Sequence, residues 1–239
     1  TKPYEMIDMV TTPDGSLVAM VHCNNCTSDL NAWVNLFKEY QQLLGVPVDM
    51  NEVFGKLYNH ALEGDADCGG LISYNYISGE PVTGLAEGRP MFVRSANDKF
   101  NLANFMRSHL YASVGVLKIG NDILFNEEHV KVDRITGHGG LFKTKGVGQR
   151  ILAAAINSPI SVMETAGEGG AWGIALLGSY LVNSGAHESL ADFLENKVFA
   201  GNTGVEIAPT AEDVAGFNIY IENYTRGLAI EKAAVENKY

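Results

Sequence analysis

Cysteine is scarce and odd in number. The 239 residues hold three, Cys23, Cys26 and Cys68, which excludes a framework of paired disulfides in a chain long enough to fold without one. Positive charge is also in deficit: 17 Lys and Arg face 28 Asp and Glu, a formal net charge of −11. With no Lys/Arg run forming a local stripe, this field repels phosphodiester backbones, and no nucleic-acid partner is expected. No apolar run approaches the ~20 residues of a membrane span. The opening Thr1-Lys2-Pro3-Tyr4-Glu5 lacks the apolar core of a signal peptide, so a cytoplasmic protein with no membrane partner is expected. Internal repeats and low-complexity tracts are missing, and so is an initiating Met; with a strand-like run close to Thr1, this suggests a piece of a longer chain. What remains is 46% apolar and 19% charged, the composition of one or two globular domains.

Glu5 to Val10 and Leu17 to Cys23 are short apolar runs around Pro13-Asp14-Gly15 and predict a β-hairpin. Thr27 or Ser28 is then placed to cap a helix whose apolar positions include Leu30, Trp33, Val34 and Phe37, ending before Gly45. A second helix is expected from Asn51 to Leu62, a strand over Leu71 to Ile77, an irregular surface loop from Ser78 to Pro90, and a long helix from about Asn101 to Leu124. From Lys131 onward the pattern alternates. The strand Val132 to Thr136 precedes Gly137-His138-Gly139-Gly140 and the helix Gly148 to Asn157. The strand Ile160 to Glu164 precedes Gly167-Glu168-Gly169-Gly170 and the helix Ala171 to Val182. This order indicates α/β layering with crossover connections. A helix near Leu190 to Val198, a strand near Val205 to Ile207 and a terminal helix from about Ala211 complete the chain.

The glycine turn at Gly137 sits between a strand and a helix, where glycines admit a close backbone approach and free N–H groups are preorganised for phosphate. It matches neither the Walker loop nor the Rossmann fingerprint. The second turn, at Gly167, should fall at the same sheet edge, beyond the strand carboxyl ends where ligands of open α/β sheets lie. Gly173 and Ala175 read as positions that let the helix pack closely on the sheet. Cys23-Asn24-Asn25-Cys26 has the spacing of a redox dithiol or half a zinc site, but no standard pattern joins it to His60 or Cys68, and two partly buried thiols are the reading taken. Glu63, Asp65 and Asp67 read as an acidic turn ahead of a buried strand, and no metal ligands are assigned. His109, His129 and His187 lack a nearby Ser or Cys nucleophile pattern.

Several pieces, in order, resemble the C-terminal domain of the FGGY carbohydrate kinases, the xylulokinase-like branch in particular, over roughly Gly15 to Val182. They are Thr27-Ser28-Asp29-Leu30-Asn31-Ala32-Trp33, the strand from Gly70 ending in Ser78-Gly79-Glu80, and Ile135-Thr136-Gly137-His138-Gly139-Gly140. Pro159-Ile160-Ser161-Val162 and Glu168-Gly169-Gly170-Ala171-Trp172-Gly173-Ile174-Ala175 follow. The resemblance implies an α/β, actin-like, ribonuclease-H-like ATPase domain with a mixed sheet flanked by helices. It would be the second half of a two-domain sugar kinase, with residues 1–239 forming this domain and the N-terminal sugar-binding domain absent from the chain.

In such kinases the nucleotide is bound largely by this second domain. The resemblance therefore implies cofactors ATP and Mg²⁺, with Gly137, Gly139, Gly140 and Leu141 against the nucleotide and Lys143 as a neighbouring polar contact. The family's Asp-x-Gly-Thr turn and its Gly-Asp general base do not occur in this chain. No catalytic residue is expected here, and the piece alone is expected to be inactive. The implied reaction is ATP-dependent phosphorylation of a small-molecule sugar, a pentulose such as xylulose. Competing readings are a noncatalytic actin-like nucleotide-binding or regulatory module, and a metal or redox protein built on Cys23 and Cys26. A face normally covered by the absent domain makes a homodimer a candidate assembly.

Overall fold

A computed structural model of the protein describes residues 3–163, 169–201 and 204–237. Strands β1 (Asp8–Thr11) and β2 (Leu17–Met20) pair antiparallel from Asp8↔Met20 to Thr11↔Leu17. The reversal between them is closed by the Gly15 N–H donating to the Thr12 carbonyl, with Gly15 at φ +89°. The hairpin is largely exposed; beyond it, Val21 lies where a side chain at Gly120 would need to be.

Helix α1 spans Ser28–Leu43 and α2 spans Met50–Ala61. Thr27 occupies the position before α1 but does not cap it: its backbone, at φ −104° and ψ 8°, is not extended, and its hydroxyl accepts no helix N–H. Asp49 does cap α2, accepting from the Asn51 N–H at 2.9 Å.

Helix α3 (Leu102–Asp122) is the centre of the molecule, nearly every residue from Ala103 to Val116 being buried. Such a run is hydrophobic or hydrogen-bonded on all sides, as a helix enclosed by others must be. Around it lie β3 (Ile72–Tyr74), which pairs antiparallel with β4 (Met91–Val93), and the long terminal helix α7 (Ala211–Glu236). Tyr74, Tyr76, Tyr220 and Tyr224 are fully buried among these elements. Their hydroxyls are paired: Tyr74 donates to the Tyr224 carbonyl at 2.9 Å, Tyr220 to the Ser108 carbonyl at 3.1 Å, and Tyr224 to the Tyr76 oxygen at 2.9 Å. Arg107 and Asp213 form a buried ion pair that Arg150 joins, its Nε 2.7 Å from Asp213 Oδ2. This ties α3 and α7 to α4 (Val147–Ile156).

Strand β5 (Ile135–Thr136) runs parallel to β6 (Ile160–Val162), α4 making the crossover, and β7 (Val205–Ile207) pairs antiparallel with β6. Helices α5 (Gly169–Asn183) and α6 (Leu190–Phe193) stand between β6 and β7 in sequence. A single mixed sheet was expected. Among the described residues there are instead three small sheets, two of two strands and one of three, and only the last is mixed. The strands run two to four residues, too short to carry one continuous ladder, and the β3–β4 and β5–β6–β7 sheets pack on helices instead.

Two further expectations change. The stretch from Ser78 to Pro90 is not a simple surface loop, because Glu80 and Val82 are buried and a 3-10 turn (Pro81–Thr83) forms within it. Gly173 and Ala175 do not serve close packing: a Cβ on Gly173 would meet nothing within 4 Å, Ala175 is exposed, and no residue of α5 is buried. No helix is long and apolar enough, over the described residues, to cross a membrane.

Candidate functional site

The glycine turn leaves β5 at Gly137 and enters a 3-10 turn (Gly140–Phe142) ahead of α4. Its residues have separate tasks. Gly137 is buried, and its N–H donates to the Ser161 carbonyl at 2.8 Å, fastening the turn to β6. A side chain there would collide with the Phe142 ring, 2.5 Å away. Gly139 has φ +102° and ψ −176°, a conformation open to glycine almost alone. Neither Gly139 nor Gly140 would meet anything within 4 Å if given a Cβ, and neither donates a backbone hydrogen bond among the described residues. Leu141 is half-buried and packs toward α4, its carbonyl 2.6 Å from where a Cβ of Gly148 would stand. Lys143 is exposed on the rim.

Two hollows flank this turn and share Lys143. The smaller, about 350 Å³, is walled by Phe142, Lys145 and the carboxyl end of β6 at Val162 and Met163. The larger, about 690 Å³, opens between α1, α2 and Gly140. A third cavity of about 400 Å³, between Lys118 and Asp122 of α3 and Asn157 after α4, includes none of the five residues read as nucleotide contacts. The second glycine turn lies in part outside the described residues, at Gly167 and Glu168. Its described part begins α5 beside the first: a Cβ on Gly169 would stand 3.4 Å from His138 Cβ.

The other sequence candidates are accounted for by local bonds. Asn24 and Asn25, between the two cysteines, deliver both backbone N–H groups and the Asn25 amide to Glu80 Oε2, at 3.0 to 3.3 Å. Cys23 is half-buried as expected, but Cys26 is exposed; desolvation by the surrounding atoms first, and the Glu80 carboxylate second, push the Cys23 thiol up to about 12 and the Cys26 thiol up as well. A redox dithiol needs the opposite shift. Asp67 accepts from the Gly69 N–H, Asp65 pairs with Lys99 and Asn104, and Glu63 pairs with His60. Among the described residues no three His, Cys, Asp or Glu side chains are grouped to hold a metal ion.

Sequence reasoning missed two groupings. Ser73 Oγ lies 2.9 Å from His109 Nδ1, with Asp29 Oδ2 3.8 Å from the same nitrogen. Ser73 Oγ also lies 3.2 Å from Nε2, so it straddles the ring rather than meeting one nitrogen in line. A hydrolytic triad needs Ser in line with one ring nitrogen, Asp hydrogen-bonded to the other and an open path to solvent. In this buried set Asp29 stands beyond hydrogen-bond reach. The second is the array of neutral polar side chains on α1 and α2 that lines the larger hollow. The spacing of Asn31 and Asn35, one helical turn apart, was its only trace in the sequence.

The family model described as the FGGY family of carbohydrate kinases, C-terminal domain, matches residues 1–182. No curated protein matches the sequence. Among solved structures the chain is similar to xylulose kinase from Rhodospirillum rubrum, with a TM-score of 0.71 and 18% identity over 99% of this chain and 44% of that one. It is similar to a ligand-bound xylulose kinase from Lactobacillus acidophilus, with a TM-score of 0.67 and 18% identity over 96% of this chain and 42% of that one. Gluconate kinase from Lactobacillus acidophilus aligns at a TM-score of 0.57 and 20% identity over 74% of this chain and 34% of that one. The chain thus spans less than half the length of each.

Proposed function

The chain belongs to the FGGY family of carbohydrate kinases through that family's C-terminal domain, and from this premise we propose that it is the nucleotide-binding half of an ATP-dependent sugar kinase with an actin-like fold. The observation that carries this reading is the open backbone of Gly139 and Gly140, whose N–H groups are unpaired among the described residues and whose surroundings are empty within 4 Å of an added Cβ. Such a turn accepts the close approach of an anion. The smaller hollow beside it, at the carboxyl end of β6, is lined by Lys143 and Lys145, which counter the negative field of the rest of the chain there.

ATP supplies the phosphoryl group. In this reading Gly139 and Gly140 hold it by backbone N–H groups, Lys143 adds a cation at the rim, and Gly137 and Leu141 keep the turn in shape from behind. Mg²⁺ binds through substrate phosphates and one or two carboxylates with several waters kept, so the ion would come with the nucleotide. The general base and most of the sugar contacts belong to a preceding domain, and residues 1–239 are the second domain. We take the acceptor to be a pentulose such as xylulose, a reading supported by the similarity to two xylulose kinases. The gluconate kinase shows why an assay panel must also include an acid sugar. A kinase of this kind would work in the cytoplasm, where ATP is held.

The test is sugar-dependent ADP release by the full-length protein across pentuloses, gluconate and glycerol, with residues 1–239 alongside. Turnover by the longer protein alone supports a site shared between two domains and identifies the sugar. ADP binding without turnover of any sugar would instead favour a noncatalytic nucleotide-binding module.

A further inference from the structure

The cavity of about 400 Å³ among α3, α4 and α7 belongs to neither hollow beside the glycine turn. It lies at the carboxyl end of α4, whereas the turn precedes the amino end, and ten residues at 1.5 Å each set those two ends about 15 Å apart. A π-helical turn (Ile123–Glu127) continues α3 and brings Phe125 and Asn126 into the lining. Turns of this kind are rare in general and frequent at functional sites.

The lining narrows the ligand. Much of the wall is apolar, formed by Phe125, Val130, Val132, Ile156 and Val214. With it stand three side-chain amides, Asn126, Asn157 and Asn218, none of which has a hydrogen-bond partner among the described residues. An amide sets a donor beside an acceptor, and it matches an edge that does the same, such as the amino and ring nitrogens of adenine. A flat heteroaromatic ring combines such an edge with two apolar faces, and Phe125 supplies an aromatic surface for one of them.

Charge decides which form of such a molecule fits. Among the described lining residues only Lys118 and Asp122 are charged, and Lys118 is already committed. Its Nζ donates to both Asp122 oxygens, at 2.5 and 2.6 Å, and 18% of its side chain is exposed. No cation in the lining is left to meet a phosphate, and the net charge of −11 opposes one. The volume lies in the range of small-molecule sites.

We propose that this cavity binds an uncharged nucleobase or nucleoside with an adenine-type edge, at a site distinct from the glycine turn. It stands whether or not that turn binds a nucleotide, because Gly137, Gly139, Gly140, Leu141 and Lys143 are all absent from the lining.

The experiment is a titration of the isotope-labelled chain with adenosine, with AMP and with xylitol, following the side-chain amide signals of Asn126, Asn157 and Asn218. Adenosine should give saturable shifts that persist at saturating ADP. AMP should bind about tenfold or more weakly, and xylitol, which has hydroxyls and no ring, should give no saturable shift. Two variants each remove one amide and leave the backbone at ease. Asn157 has φ +54°, which glycine adopts freely, so Asn157→Gly keeps the local geometry. Asn218 is exposed within α7, where alanine is a good helix former, so Asn218→Ala does the same. Unchanged thermal unfolding verifies both, and each should weaken adenosine binding by about tenfold. No saturable shift with adenosine overturns the proposal, as does undiminished binding in both variants. AMP binding as tightly as adenosine, or an equal response to xylitol, would overturn the ligand class. Displacement of adenosine by ADP would overturn the separate site, by assigning the nucleoside to the glycine turn.

Discussion

The ring of Phe142 fills the space that a side chain at Gly137 would need, a Cβ there standing 2.5 Å from Phe142 Cε1. A Cβ at Gly140, three residues on, would meet nothing within 4 Å. Two alanine substitutions in one turn therefore act differently. Gly137→Ala overpacks the turn and should cost about 1–3 kcal/mol of stability. Gly140→Ala should leave thermal unfolding unchanged and weaken ADP binding by calorimetric titration. Equal loss of stability in both would show that the turn has no ligand-facing side.

Asp213 holds three helices through one carboxylate. Burial alone would raise its pKa, but hydrogen bonds from Arg150, Thr210 and Arg107 outweigh it and hold the carboxyl below the usual range. A depressed carboxylate stabilises the fold above its unfolded pKa of ~3.9, and the contribution is lost as pH falls through the folded value. Asp213→Asn leaves Arg107 buried without its counter-charge and should cost about 3–5 kcal/mol near neutral pH. Urea unfolding should show the gap to the wild type closing below about pH 4.

His109 is enclosed by Trp33, Phe92 and Phe105, and burial lowers its pKa to about 3. The unfolded chain therefore binds a proton near pH 6.5 that the native state refuses, and stability falls as pH drops from there toward 3. The slope approaches about 1.4 kcal/mol per pH unit well below pH 6.5. Asp29 beside it is raised by burial and acts with the opposite sign at lower pH, so the clean window is pH 6.5 to 5. His109→Gln should flatten the dependence of the urea midpoint in that window; an unaltered slope would place the proton elsewhere.

Glu80 sits at the join between the Cys23 to Cys26 segment and the Ser78 to Pro90 loop. Burial raises its pKa against the bonds from Asn25 and Asn24. Its charge is the second cause, after burial, of the raised Cys26 thiol. Glu80→Gln removes that charge while keeping the shape, so the thiol pKa should fall and Cys26 should react faster with a disulfide reagent at a fixed, mildly alkaline pH. An unchanged rate would mean that burial alone controls the thiol.

Element order was legible in the sequence because apolar spacing and glycine punctuation are local signals, and α1 to α4, β6, β7 and α7 stand close to where that spacing puts them. What was not legible depends on partners distant in sequence. Glu80, an acid in a stretch rich in Gly and Pro, looks exposed until Asn24 and Asn25, some 55 residues earlier, supply its donors. Gly137 could have made room for a ligand or for the chain itself, and only the fold brings Phe142 over it. Nothing local to Asn31 and Asn35 says that Tyr58 lines the same hollow. The division into three sheets followed from strand lengths that apolar runs overestimated, as Leu71 to Ile77 did for β3.

Helix α5 buries none of its residues, and Ile174, Leu181 and Val182 are 71%, 80% and 82% exposed. The consequence is colloidal. Copies of this chain are held apart by a net charge of −11 and drawn together by one oily helix, so their solubility is a contest that ionic strength decides. Light scattering should find dispersed particles in dilute buffer and growing ones as salt screens the charge, and Leu181→Lys should restore dispersion at the same salt.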